Sequence, residues 1–100
     1  MTKRSLCCRI DTSKVAGLLK AISEPNRLRL ICLLRRGKRC VCELQSDTGL
    51  KHNLLCHHLK ALGKLGIIKA AHKNQFTYYE LNTKEFRKML KDMNVLLGGK

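Results

Sequence analysis

The sequence predicts one mainly helical domain with a β-hairpin near its C-terminal end. Three observations support this fold class. The chain has 100 residues, which is the length of a single domain. Apolar residues return every three or four positions along most of it, as in helices with one buried face. Between residues 67 and 81 the pattern changes to alternation, which is typical of strands.

The first two predicted helices follow an N-terminal arm, residues 1–10, that we expect to be flexible. The first helix has a single apolar face with helical spacing: Val15, Leu18, Leu19 and Ile22. The second begins near Ser23, with Pro25 in its first turn, where a missing N–H costs little. It is apolar on nearly all sides as far as Leu34, so we expect a buried central helix with Cys32 as a small core residue.

The third and fourth predicted helices are joined by a tight turn at Gly49. The third spans about residues 41–47, and the fourth spans about residues 51–65. Two helices joined by a short glycine-containing turn are the helix-turn-helix pattern. Four leucines of the fourth helix are expected to face inward: Leu54, Leu55, Leu59 and Leu62.

The C-terminal third of the chain is expected to hold the hairpin and a fifth helix. Lys73-Asn74-Gln75 forms the basic turn of the hairpin, and Asn82 or Thr83 begins the helix. The apolar stripe of that helix is Phe86, Met89, Leu90, Met93 and Leu97. Four helices, a hairpin wing and a fifth helix make a winged helix-turn-helix domain.

We place this domain at residues 11–97, followed by a tail at residues 98–100. A chain of this size buries only a modest core. We therefore expect the amphipathic first and last helices to form the shared interface of a homodimer.

The charge of the chain points to nucleic acid. Lys and Arg number 21 against 7 acidic residues, which gives a net charge of +14, and such a chain attracts phosphate backbones or anionic membranes. A basic protein without a specific nucleic-acid site is the alternative. No apolar run reaches the roughly 20 residues of a membrane span, and the N-terminus lacks the apolar middle of a signal peptide. We expect a cytoplasmic protein that binds double-stranded DNA and no membrane.

The fourth helix is expected to lie in the major groove with its N-terminal residues on base edges. Lys51 can donate to guanine and Asn53 suits adenine, whereas lysines further along the helix suit phosphates. The predicted DNA contacts are Lys51, His52, Asn53, Cys56, His57, Lys60, Lys64, Lys73, Asn74 and Gln75. A dimer would read an inverted repeat.

Adjacent histidines on a helix point about 100° apart, so His57 and His58 are not expected to chelate one ion. We expect His58 to pack inward and His57 to face DNA. His72 has no partner for a metal and is expected on the surface of the wing.

The six cysteines favour metal binding or redox chemistry over a disulfide framework, because we expect a reducing compartment. Cys40 and Cys42 lie at the start of the third helix, where the helix N-terminus and nearby basic residues should favour the thiolate. Residues i and i+2 of a regular helix point about 200° apart. The two sulfurs should therefore converge on one ion only if the first turn opens, which would disturb the recognition helix.

Cys7 and Cys8 in the arm can add thiolates, from the same protomer or its partner. Three thiolates suit As(III) or Sb(III), and four suit Cd(II), Pb(II) or Zn(II). Cys56 is expected to pack or face DNA rather than bind an ion. Two alternatives stay open: the cysteines sense oxidants or reactive sulfur, or the chain is a cytoplasmic thiol metal-binding protein. No nucleophile–base arrangement or cofactor loop is visible, so an enzyme is not expected.

Four segments carry a family resemblance: LKAISEPNRLRLICLL, CVCEL, TGLKHNLLCHHLKALGKLGII and HKNQFTYYEL. Across about residues 14–97 the chain resembles the ArsR/SmtB family of metal-responsive winged-helix repressors. CVCEL is similar to the cysteine-pair motif of the arsenic and cadmium/lead branches, which implies that Cys40 and Cys42 bind the inducing ion. Gln45 stands where some arsenical repressors have a third cysteine. Other members complete the site with N-terminal cysteines of the partner subunit, an arrangement that Cys7 and Cys8 fit.

The resemblance also marks departures. The last helix, KEFRKMLKDMNVLL, has no His, so the family's zinc site on that helix is not expected. Cys32 stands at the place of a persulfide-sensing cysteine whose partner in the last helix is missing here. Four recognition positions differ from the common family residues: Lys51, His52, Asn53 and Cys56. We expect a dimeric repressor that leaves its operator on binding As(III), then in order of preference Sb(III), and Cd(II) or Pb(II).

Overall fold

The structure, a computed structural model, describes residues 10–98. Its helices are α1 (Thr12–Ile22), α2 (Pro25–Leu34), α3 (Val41–Thr48), α4 (His52–Lys64) and α5 (Thr83–Leu96). Its strands are β1 (Arg39–Cys40), β2 (Ile68–Lys73) and β3 (Phe76–Leu81), in one antiparallel sheet of order β1-β3-β2. The predicted winged helix-turn-helix fold is confirmed. None of the helices within residues 10–98 has the length and apolar character needed to cross a membrane.

Local sequence signals set the ends of the helices. The carboxylate of Asp11 caps α1. Glu24 caps α2, because its Oε1 accepts the backbone N–H groups of Asn26 at 2.7 Å and Arg27 at 3.2 Å. Gly49 ends α3 at a φ of +72°, which a glycine adopts without steric cost. The turn between α3 and α4 is therefore short and well defined.

One apolar core joins the helices to the sheet. Its fully buried side chains come from the first four helices and the segment before β2: Leu18, Leu30, Leu34, Leu44, Leu55, Leu59, Leu62 and Ile67. Burial of each such side chain contributes about 1.5–3 kcal/mol. Because α3 and α4 both pack against α2, the core fixes how the two helices of the helix-turn-helix lie relative to each other.

Strand β1 was not predicted. Arg39 pairs with Tyr79 and Cys40 pairs with Tyr78 of β3. Two residues are too few for an alternating pattern, which needs about four to eight. This short pairing ties the start of α3 to the wing.

Two predictions of burial are wrong. Cys32 is exposed rather than part of the core, and Leu54 is 43% exposed rather than on the inner face of α4. The neighbours of α2 within this chain cover one side of it only, so Leu28 also stays 49% exposed. The inner face of α4 is instead completed by His58.

Helices α1 and α5 contact each other and leave apolar side chains exposed. Met89 is buried, but Leu19 is 42%, Leu90 is 37% and Leu97 is 74% exposed. Exposed apolar side chains on two packed helices are available for burial against a partner.

Candidate nucleic-acid interface and thiol site

The outer face of α4 is polar and open to solvent. The helix begins at His52, with Lys51 at its N-cap position. The predicted DNA contacts of this segment are exposed, except for Cys56, which is half-buried: Lys51, His52, Asn53, His57, Lys60 and Lys64. None of them is acidic, so this face can approach the phosphates of a groove.

The tip of the wing supplies a second exposed polar segment. Lys73, Asn74 and Gln75 are exposed, and Asn74 adopts a left-handed φ of +61° in the turn. Phe76 follows the turn and is 52% exposed, which the sequence analysis did not predict. A recognition helix beside a hairpin tip is the arrangement that lets a domain contact a groove and the flanking backbone.

His58 anchors α4 to α2. The imidazole is only 4% exposed, and its Nδ1 accepts a hydrogen bond from Nε of Arg27 at 3.0 Å. Its Nε2 lies 4.0 Å from Oε1 of Glu24. Burial lowers the pKa of His58, and the charge of Arg27 lowers it further, whereas Glu24 opposes the change. The neutral ring is therefore favoured. The prediction that His58 packs inward is confirmed.

Cys40 and Cys42 bring their sulfur atoms to within 2.6 Å of each other. The prediction that they diverge is wrong, because Cys40 is the N-cap of α3 and has extended backbone angles, φ −82° and ψ 161°. The 200° separation applies only inside a helix. Two thiolates on one ion at about 2.3 Å in tetrahedral geometry lie about 3.8 Å apart, so the pair can face one ion with α3 intact.

The prediction that the surroundings favour the Cys40 thiolate is also wrong. The pKa of the Cys40 thiol is raised, first by its hydrogen bond with Cys42 and then by burial; the backbone N–H of Glu43 at the helix N-terminus lowers it, and the charges of Cys42 and of the Glu43 carboxylate raise it again. Oε1 of Glu43 accepts the backbone N–H of Cys40 at 2.9 Å, which puts a negative charge beside the sulfur. Arg39 pairs with Asp47 at 3.2 Å instead. An incoming soft ion must therefore displace the thiol protons.

An open cleft of about 420 Å³ separates the start of α3 from the first turns of α4 and from β3. We call it the thiol cleft. Its lining includes Cys40, Cys42, His52, Cys56, Phe76 and Tyr79. The pair Cys40 and Cys42 thus shares one cleft with His52, which was predicted as a DNA contact, and with Cys56, which was predicted to pack or to face DNA. Only the tertiary arrangement of α3, α4 and β3 around the cleft reveals this, since these residues belong to different elements.

Cys7 and Cys8 lie outside the described residues. Within residues 10–98, no three His, Cys, Asp or Glu side chains stand close enough together to hold a metal ion as they are. An ion that bound Cys40 and Cys42 would therefore need further ligands.

Comparison with known proteins finds similarity to bacterial regulatory proteins. The family model for bacterial regulatory proteins of the arsR family matches residues 24–70. The cadmium resistance regulator CadC of Listeria innocua is 29% identical over 94 residues, which cover 93% of this chain and 74% of CadC. The arsenical resistance operon repressor of Bacillus subtilis is 34% identical over 74 residues, covering 73% and 70% of the two chains.

A solved structure shares the fold. HlyU of Vibrio cholerae, which is named a transcriptional activator, superposes with a TM-score of 0.72 at 29% identity. The match covers 86% of this chain and 94% of HlyU. Regulators with opposite effects on transcription are thus similar to this chain.

Proposed function

Because the chain belongs to the ArsR family of bacterial transcriptional regulators, we propose that it is a homodimeric repressor that releases its operator when a soft ion binds Cys40 and Cys42. The observation that supports this most is the contact between the two sulfurs at the first turn of the helix-turn-helix. Neighbouring thiols bind arsenic, antimony, cadmium and lead ions in preference to hard cations.

As(III) is the preferred inducer, followed by Sb(III), and by Cd(II) or Pb(II). One relative is named for arsenical resistance and another for cadmium resistance. A tetrahedral ion, Zn(II) included, needs four ligands, whereas three thiolates complete pyramidal As(III). Cys40 and Cys42 leave As(III) only one ligand short. The sequence offers Cys7 or Cys8 as the first candidate for that third thiolate.

The proposed dimer forms through α1 and α5. Leu19, Leu90 and Leu97 would be buried against the partner, and this removes the largest exposed apolar side chains of those helices from water. The two copies of α4 would then read an inverted repeat, with half-sites about one helical turn or more apart. The exposed side chains of α4 and the wing tip would contact bases and phosphates.

Ion binding is coupled to DNA binding through the position of Cys40. This residue caps α3, pairs with β3 and lines the thiol cleft opposite α4. Spreading the two sulfurs by about 1 Å to fit an ion therefore acts on α3 and the wing together. A useful inducer needs a coupling free energy of about 1–3 kcal/mol, or about a 5- to 150-fold change in operator affinity.

The test is a titration of a labelled promoter fragment with the full chain, followed by fluorescence anisotropy with and without arsenite. Arsenite should release wild-type protein but not Cys40→Ser or Cys42→Ser. Cys32→Ser is the matched control, because Cys32 is an exposed cysteine that does not line the thiol cleft. Equal operator affinity of loaded and empty wild-type protein would contradict the proposal.

A second candidate function rests on the same sulfur contact. Two thiols in contact can also be oxidised to a disulfide or react with reactive sulfur. Mass spectrometry separates the two functions. A stoichiometric arsenic adduct that is lost in Cys40→Ser favours ion sensing, and a loss of two hydrogens after peroxide without any arsenic adduct favours redox sensing.

A further inference from the structure

We propose that Cys56 of the recognition helix supplies the third thiolate for the ion captured by Cys40 and Cys42. This inference rests on the proposed function and names the missing ligand of its site. It differs from the sequence-based expectation, which completed the site from the N-terminal arm and assigned Cys56 to packing or DNA contact.

The position of Cys56 is the first support. It lines the thiol cleft together with Cys40 and Cys42, so the three thiols share one solvent-filled space. Asn53 and His57 on either side of it along α4 are exposed, whereas Cys56 is half-buried. Among the predicted base contacts of α4, Cys56 is therefore the one turned partly away from solvent.

The surroundings of Cys56 are the second support. Its Sγ lies 3.5 Å from Nε2 of His52, one helical turn earlier, so a second soft-ion donor group stands beside the thiol. Tyr79 of β3 lines the same cleft as Cys56. Tyr79 is the strand partner of Arg39, the residue before Cys40.

Side-chain rotation and a movement of α4 have to close the remaining distance between Cys56 and the pair Cys40 and Cys42. The three thiols do not yet form a site that holds an ion. Rotation between two staggered rotamers moves a cysteine sulfur by about 3 Å. Closing the thiol cleft around an ion therefore requires Cys56 to rotate and α4 to move toward α3.

The chemistry balances without an oxidant. Arsenous acid, As(OH)₃, exchanges its three As–O bonds for three As–S bonds. Each thiol gives up its proton, each departing hydroxide takes one to become water, and arsenic stays As(III). Cys40 and Cys42 supply two of the three ligands of pyramidal As(III), and Cys56 supplies the third.

The consequence is direct competition between ion and DNA. A sulfur on the reading helix cannot bind an ion in the thiol cleft while α4 keeps its position in the groove. By reciprocity, operator DNA must weaken arsenite binding by the same factor by which arsenite weakens operator binding.

Arsenic X-ray absorption spectroscopy tests the proposal by counting sulfur neighbours in the full chain loaded with one equivalent of arsenite. Wild-type protein should show three sulfurs, Cys56→Ser two sulfurs and one oxygen, and the double variant Cys7→Ser/Cys8→Ser three sulfurs. Serine keeps the approximate size of the side chain, so Cys56→Ser should keep the fold, which circular dichroism checks before the sulfur count is compared. Cys32→Ser is the matched control and should keep three sulfurs.

Three sulfurs in Cys56→Ser, or only two in wild-type protein, would overturn the inference. Arsenite affinity of Cys56→Ser should fall by about 10- to 100-fold, because even partners outside the ligand shell contribute that much to metal affinity. If Cys56→Ser keeps three sulfurs and still releases the operator, the inference fails and the proposed function stands. If arsenite neither binds wild-type protein nor releases it from the operator, both fail.

Discussion

The start of α3 and the start of α4 form opposite sides of the thiol cleft, and they are held in different ways. The start of α3 is fixed by the pairing of Cys40 with β3 and by the bond from its N–H to Glu43. The start of α4 has no side-chain capping bond at Lys51. Its position depends on the buried inner face and on His58. If the thiol cleft closes around an ion as proposed, α4 is therefore the side that we expect to move.

The largest expected effect is that of salt concentration, which should change operator affinity strongly and arsenite affinity little. With about 6–10 phosphate contacts, operator affinity is expected to fall by about 10³–10⁵ between 50 and 200 mM salt. Arsenite is held by short-range bonds to sulfur, so its affinity should change little with salt concentration. Operator titrations and arsenite titrations at matched salt concentrations measure both, and a parallel loss of arsenite affinity would contradict the comparison.

Shortening one side chain on the inner face of α4 should have the next largest effect, and it should act on stability. Leu55→Ala is expected to lower the free energy of unfolding by about 2–5 kcal/mol, because Leu55 is fully buried and the change leaves a cavity. Leu54→Ala, on the exposed side of the same helix, is the control and should stay within about 1 kcal/mol. Urea denaturation measures both. Equal losses would mean that α4 is not anchored by this face alone.

The anchor at His58 should make stability depend on pH. The pKa of His58 is lowered in the folded chain, so the unfolded chain binds more protons between that value and about 6.5. Its contribution is complete above about pH 6.5 and is lost as the pH falls through the folded-state pKa. Thermal denaturation from pH 8 to 5 should show this loss.

His57→Gln is the control for that pH dependence, since His57 is exposed. It should keep the loss of stability at low pH, and His58→Gln should remove most of it. A pH dependence that survives in His58→Gln would show that another group is responsible.

The smallest effect is expected on the α3 side. Glu43→Gln keeps an acceptor for the Cys40 N–H and removes the negative charge that helps to raise the pKa of the thiol. The pKa of Cys40 should fall slightly, which the pH dependence of alkylation at Cys40 reports when peptide mass spectrometry resolves it from the other five cysteines. An upward shift would mean that the charge of Glu43 is not felt at the sulfur.

Periodicity predicted the order of all elements except β1 and placed α4 to within one residue at each end. It could not predict the geometry of Cys40 and Cys42, because the extended backbone of Cys40 depends on pairing with a strand almost forty residues away. It also misplaced Cys32 and Leu54. An apolar pattern shows which side chains can be buried, whereas the packing of neighbouring elements decides which of them are.

Cysteine at an N-cap position is an uncommon choice. Serine, threonine, aspartate and asparagine accept the free N–H groups of a first turn far better, and exchanging a poor cap for a good one stabilises a helix by about 0.5–2 kcal/mol. At position 40 the chain thus forgoes helix stability and has instead the sulfur that the proposed site requires. A serine there should yield a protein that is more resistant to denaturation yet unresponsive, the trade-off expected where a site is optimised for activity instead of rigidity.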